Sequence, residues 1–252
     1  MYQKVVDNTS FIIRIILSLS FLGHGLVSLG FSPSYSLHYN LIESINITAF
    51  SSKIIVELQG WFDIIISLLL MINFKLKKIL YIVIFYLFIV CIAAVCFYWD
   101  KTNSIFGITE CIRRLPWILL SIFLIKDLAG EKKYQFIRIS LALAFIAHGL
   151  ASLGFLGLKQ GHIDLAIKVV SKEDANLFVY LSGITDSIIG IMLLQGIYTK
   201  FISIISILWI SFIVYISFLN AFPDGIFRLG FLILAIYIYI DERTYYPKFV
   251  KL

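Results

Sequence analysis

"SFLGHGLVSLGF" (Ser20–Phe31) and "AFIAHGLASLGF" (Ala144–Phe155) spell HGLxSLGF twice, each time where an otherwise apolar run comes to its end. The two histidines, His24 and His148, lie 124 residues apart. The same shift lays Arg14 on Arg138, Gly25 on Gly149, Ser28 on Ser152 and Gly30 on Gly154. Further along, "GWFDIIISLLLM" (Gly60–Met71) meets "GITDSIIGIMLL" (Gly183–Leu194), with Asp63 over Asp186 at a shift of 123. Near the ends of the two halves, "ECIRRLPW" (Glu110–Trp117) meets "DGIFRLGF" (Asp224–Phe231), which puts Glu110 over Asp224 and Arg114 over Arg228. So dense a correspondence implies a tandem duplication, with residues 1–130 and 131–252 as the two copies.

The chain around these motifs is apolar. Of its 252 residues, 60% are hydrophobic and 14% charged, against about 25% charged in an ordinary soluble domain. A membrane-spanning helix needs about 20 mostly apolar residues. Eight such runs can be placed, at 11–31, 54–74, 79–99, 106–126, 135–156, 176–196, 201–221 and 222–241. The expected fold is therefore all-α: a polytopic membrane protein whose eight transmembrane helices form two parallel four-helix repeats. An even number of helices per copy sends both copies into the membrane from the same side, so a pseudo-twofold axis runs along the membrane normal. The loops at 32–53 and 157–175 carry polar and apolar residues at roughly helical spacing, which suits amphipathic connectors on the outer surface.

The formal net charge is +6, but Lys and Arg sit at helix ends rather than in one solvated patch, so it reads as topology and not as a nucleic-acid surface. Lys4, Arg14, Lys75, Lys77, Lys78, Lys126, Lys132, Lys133, Arg138, Lys200, Arg243, Lys248 and Lys251 fall on one side, which the positive-inside rule makes cytoplasmic. Both termini are then cytoplasmic in a plasma (inner) membrane. No A-x-A-like cleavage site follows the first run, and that run recurs internally, so it is expected to remain. Cys91, Cys96 and Cys111 form no metal-ligating spacing, and no metal is expected. Cys91 reads as core packing, while Cys96 and Cys111 lie near the outer face, where they could pair.

Ionisable residues fall inside these apolar runs. By a rise of about 1.5 Å per residue, His24 lies on the order of 10 Å below the outer end of its helix and Asp63 roughly 15 Å deep. The apolar run between Arg114 and Lys126 is short for a span, so either Arg114 is drawn into the outer half of the membrane or that helix is very short. Arg228 stands in the same position before Asp241. A charge at the bilayer centre costs about 3 kcal/mol. The inexpensive arrangement therefore pairs Asp63 with His24 or Arg114, and Asp186 with His148 or Arg228, facing inward. The small residues of HGLxSLG offer a narrow face on which a neighbouring helix can approach closely. Arg14 and Arg138, at the cytoplasmic ends, read as snorkelling anchors. Trp61, Trp99, Trp117 and Trp209, with Tyr245 and Tyr246, read as interface or packing aromatics. His38 and His162 are expected to be solvated in the outer loops.

Two roles suit such a layer. One is structural, a buried network that fixes helix register. The other is a polar pocket in each half, in which histidine exchanges protons, a carboxylate orients it and arginine holds an anionic or carbonyl oxygen. The second fits a quinone head group or a small weak acid. His24 and His148 at equal depth could also supply two axial ligands to a haem, but with one intramembrane histidine per half, haem is the weaker expectation. No GxSxG, HExxH, P-loop or dinucleotide fingerprint is present.

An arginine, HGLxSLGF ten residues later, and a second helix with Gly-x-x-Asp together resemble the DoxX-like membrane proteins. The first helix of those proteins typically holds an arginine, an apolar run and a glycine-rich ending of the hG-x-x-K-L kind. Ser28 and Ser152 replace the usual basic residue, which weakens any anion site at that position. The resemblance implies a four-helix unit of bacterial and archaeal membranes. Some members resemble or accompany quinone-reducing sulfur-oxidising subunits, and others are membrane partners of oxidoreductases. It supplies no agreed catalytic set, so no catalytic residue is assigned. The expected function is a subunit or partner in quinone-linked electron transfer, with lipid, a quinone and a soluble oxidoreductase as partners. His24, Asp63, Arg114, His148, Asp186 and Arg228 are the candidate substrate-binding residues. A small-solute carrier or channel, and a non-catalytic membrane anchor or assembly factor, are the alternatives.

Overall fold

The computed structural model describes residues 8–44, 51–101, 108, 111–126, 132–154, 160–241 and 244, and the long elements among them are all helices. Glu110, residues 127–131 of the connection between the halves, the side chains of Cys96 and Trp99, and Tyr245 and Tyr246 lie outside the described residues. Helix α1 (Thr9–Leu26) runs into a π-turn at Val27–Phe31. It is followed by α2 (Tyr35–Ser44), α3 (Ser52–Met71), α4 (Leu76–Lys101) and α5 (Leu115–Ile125). The second half holds α6 (Lys132–Ser152), α7 (Gln160–Ala166), α8 (Ala175–Gln195), α9 (Thr199–Asn220) and α10 (Phe222–Ile240).

Local sequence explains the ends. Gly30 (φ 88°) turns the chain out of the π-turn, and Gly154 (φ 71°), which the shift of 124 superposes on it, takes the same left-handed conformation. A side chain is rarely tolerated there. Ser51 caps α3 by accepting from the Ile54 N–H at 3.4 Å. Pro116 and Pro223 occupy the first turns of α5 and α10, where a missing N–H costs no helical hydrogen bond.

Among the described residues seven helices are long and apolar enough to cross a membrane: α1 with its π-turn, α3, α4, α6, α8, α9 and α10. The span expected at 106–126 differs. Continuous helix begins there only at Leu115, and the 11 residues of α5 rise about 16 Å, roughly half the hydrocarbon thickness. Helix α5 is thus the very short one, with Arg114 immediately before it. The loops at 32–53 and 157–175 do hold helices, α2 and α7, as their spacing suggests.

Helix α1 packs chiefly against α3 and α10, and α6 against α8 and α5, while α4 pairs with α5 and α9 with α10. The last helix of each half therefore lies on the first helix of the other. One continuous apolar core results, including Ile13, Leu17, Leu80, Leu120, Leu141 and Leu234. The outer helices α3, α4, α8 and α9 turn large apolar side chains outward, among them Leu68, Phe85, Ile188 and Leu208, as a lipid-facing surface requires.

The expected close approach occurs at the glycines. A Cβ on Gly25 would sit 2.8 Å from the Gly60 carbonyl oxygen, and one on Gly60 would sit 2.9 Å from that of Gly25. In the second half a Cβ on Gly149 would be 3.0 Å from the Gly183 oxygen. Ser18 and Ser67 lock the α1–α3 seam further, each hydroxyl donating to the other residue's carbonyl at 3.1 and 2.7 Å.

Arg138 departs from expectation. It is buried, 1% exposed, and its Nη1 donates to the Leu193 carbonyl at 2.9 Å in the last turn of α8. Packing of α6 against α8 closes off the route to the interface that a snorkelling side chain would need. Arg14 is half-buried over the Phe11 ring.

Candidate functional site

The glycine seams set what meets what. His24 adjoins Gly25 on α1, and Asp63 lies one turn beyond Gly60 on α3, so backbone contact at the glycines carries the two side chains together. His24 Nδ1 lies 2.7 Å from Asp63 Oδ2. Asp63 is fully buried, and a carboxylate can only accept, so Nδ1 carries the proton when Asp63 is ionised. The other oxygen, Oδ1, has no hydrogen-bond partner. Tyr86 on α4 and Arg114 at the start of α5 lie close enough to act on the carboxylate electrostatically. The three candidate residues of the first half thus converge, with histidine as the direct partner of the aspartate.

The second half uses the same residue types differently. Asp186 Oδ1 accepts from the Trp209 indole N–H at 2.7 Å, rather than from His148 or Arg228 as expected. Trp209 is therefore a polar partner and not only a packing aromatic. Arg228 Nη1 donates to the Asp224 carbonyl at 3.0 Å, one turn back on α10. The Asp224 side chain accepts from Ser32 at 2.9 Å and Asn220 at 2.8 Å, which ties α10 to the end of the π-turn and to α9. His148, Asp186 and Arg228 nevertheless line one cavity of about 120 Å³. Its wall is completed by the aromatic rings of Phe145, Phe178, Trp209 and Phe231 and by the hydroxyls of Ser152, Ser182 and Ser217.

His38 and His162, expected in solvent, are held in place. The Ser28 hydroxyl lies 2.7 Å from His38 Nδ1, and the Ser152 hydroxyl 2.8 Å from His162 Nδ1. Each ring stands over the intramembrane histidine of its half. The His24 and His38 centroids are 4.5 Å apart, and those of His148 and His162 are 5.9 Å apart and stacked. Ser28 and Ser152 are thus the anchors for the loop helices α2 and α7. His162 also lines the cavity. A signal for both features lies in the chain: a shift of 124 lays His38 on His162, and a shift of 123 lays Tyr86 on Trp209. Among the described residues no group of three His, Cys, Asp or Glu side chains could hold a metal ion.

A chain of long apolar helices whose ionisable groups turn inward onto one another is a multi-pass α-helical membrane protein. The DoxX family model matches residues 134–218, from α6 through most of α9, so this part of the chain is similar to the DoxX family. No curated protein and no solved structure matches the chain.

Proposed function

We propose that the protein consists of two fused, parallel four-helix DoxX-like repeats, residues 1–130 and 131–252. In this reading α5 serves as a short eighth membrane helix, and the chain sits in a plasma membrane with both termini cytoplasmic. Its role is that of a subunit or partner in quinone-linked electron transfer, with a quinone head group bound in the second half. The observation that carries this reading is the convergence of His148, Asp186 and Arg228 on one aromatic-walled cavity. At about 120 Å³ it is near the size that admits a single six-membered ring. Imidazole and guanidinium donate hydrogen bonds to the two carbonyls, Asp186 bears on the protonation of His148, and the rings of Phe178 and Trp209 bracket the flat face. A soluble oxidoreductase on the membrane face supplies the electrons.

The first half favours a structural role, because its histidine and aspartate are already joined and Asp63 is sealed from water. Such a pair specifies how α1 sits on α3 whether or not it adds stability.

The test is titration of the purified full chain in detergent micelles with a short-chain quinone, read by quenching of tryptophan fluorescence. His148→Ala and Arg228→Gln are each expected to weaken binding by about tenfold or more, the loss of a charge-assisted hydrogen bond. His24→Ala is expected to change affinity by less than about twofold, within the scatter of changes remote from a site. Unchanged affinity in His148→Ala overturns the assignment.

A further inference from the structure

Cys91 and Cys111 meet face to face where α4 approaches the chain entering α5. The Cys111 thiol donates to the Cys91 carbonyl at 3.2 Å, and the Cys91 sulfur lies 3.9 Å from the Cys111 carbonyl oxygen. Reciprocal contacts of this kind bring both side chains into the narrow gap between the two backbones, the disposition a disulfide requires. The partner of Cys111 is thus the cysteine that reads from sequence as core packing, five residues beyond Tyr86 on α4. The two sulfurs are not equivalent. Cys91 is buried, whereas Cys111 is half-exposed, three residues before Arg114 and bound to it through the backbone at 2.9 Å. An accessible thiol beside a buried one is the division of labour between an attacking and a resolving cysteine.

We propose that Cys91 and Cys111 form a redox-active dithiol that exchanges with an external disulfide, and that Cys111 attacks first. The Cys111 thiolate adds to one sulfur of the substrate disulfide. The substrate S–S bond breaks, one thiolate leaves, and a mixed disulfide remains on Cys111. Cys91 then attacks the Cys111 sulfur, closes the Cys91–Cys111 bond and expels the second thiolate. The two thiol protons pass to the two released thiolates, so the pair loses two electrons and the substrate gains them. Both cysteines lie towards the face that the charge asymmetry puts outside, where disulfides persist. This site is separate from the cavity around His148, and neither depends on the other.

The experiment incubates the full chain in detergent micelles with glutathione disulfide, blocks remaining thiols with a maleimide under denaturing conditions, and maps peptides by mass spectrometry. In the native chain, of the three cysteines, only Cys96 should remain alkylatable, and a Cys91–Cys111 linked peptide should appear and vanish on reduction. In Cys91→Ser the reaction should stop at the first step, leaving one glutathione on Cys111. Cys96→Ser should behave as the native chain does. The proposal is overturned if Cys91 and Cys111 are both still alkylated in the native chain, or if Cys96 replaces Cys91 in the linked peptide. The native-chain result stands whether or not Cys91→Ser folds.

Discussion

The two halves hold the same histidine and aspartate on the same two helices, yet in the first the two are bonded to each other and in the second both line a cavity. In the first, Asp63 takes His24 directly, with Tyr86 close by. In the second, the residue that the shift of 123 places over Tyr86 is Trp209, and its indole N–H takes the aspartate instead. An indole donates one hydrogen bond and accepts none, so it meets the carboxylate's need without the imidazole. His148 lines the cavity with Arg228. A different aromatic residue at one position of a third helix thus goes with a different partner for the aspartate. Matched sequence positions do not guarantee matched chemistry.

The glycine seams are where the halves are most alike, and breaking them should have the largest effect. Gly60→Leu and Gly183→Leu each force a side chain against backbone atoms under 3 Å away, Gly25 O in one case and Leu153 N in the other. Each is expected to abolish accumulation of folded protein, read as loss of the monodisperse peak in size-exclusion chromatography, because a packed backbone cannot yield as a flexible side chain does. Survival of one variant but not the other would show that only one half depends on its seam.

A smaller effect separates the halves. A double-mutant cycle on His24→Ala and Asp63→Ala, read by unfolding in detergent, should give a coupling of about 1.5 kcal/mol, as for a hydrogen bond to a charged group. The matching cycle on His148→Ala and Asp186→Ala should give less than about 0.5 kcal/mol. Equal couplings would erase the contrast. Trp209→Tyr puts into the second half the residue type of the first, and it is expected to raise the His148–Asp186 coupling towards the first-half value. Smallest of all, Ser28→Ala and Ser152→Ala should each cost about 0.6 kcal/mol, the mean for side-chain hydrogen bonds within membranes, and should cost the same in both halves.

The membrane class, the helices and the inward-facing polar residues were legible because lipid enforces them. Long apolar runs, and charges too costly to leave in lipid, permit few alternatives. The glycine spacing likewise foretold where helices touch. Partner choice was less legible, since His24, Arg114 and Tyr86 all reach the neighbourhood of Asp63 and only packing decides which one bonds to it. His38 and His162 were misread as solvated because loop position was weighed without their exact correspondence under the same shift. Arg138 was misread because its depth on α6 said nothing of the α8 carbonyl waiting beside it. The Cys91–Cys111 contact depends on how α4 meets the entry to α5, which no local pattern encodes.

The buried Arg138 has a consequence for biogenesis. As α6 emerges from the ribosome its guanidinium has no acceptor, because the Leu193 carbonyl is translated 55 residues later. While α6 stands alone, a guanidinium so near the helix end can still snorkel to the interface. Docking of α8 takes that route away, so the helix that encloses the charge must also bring the carbonyl that receives it.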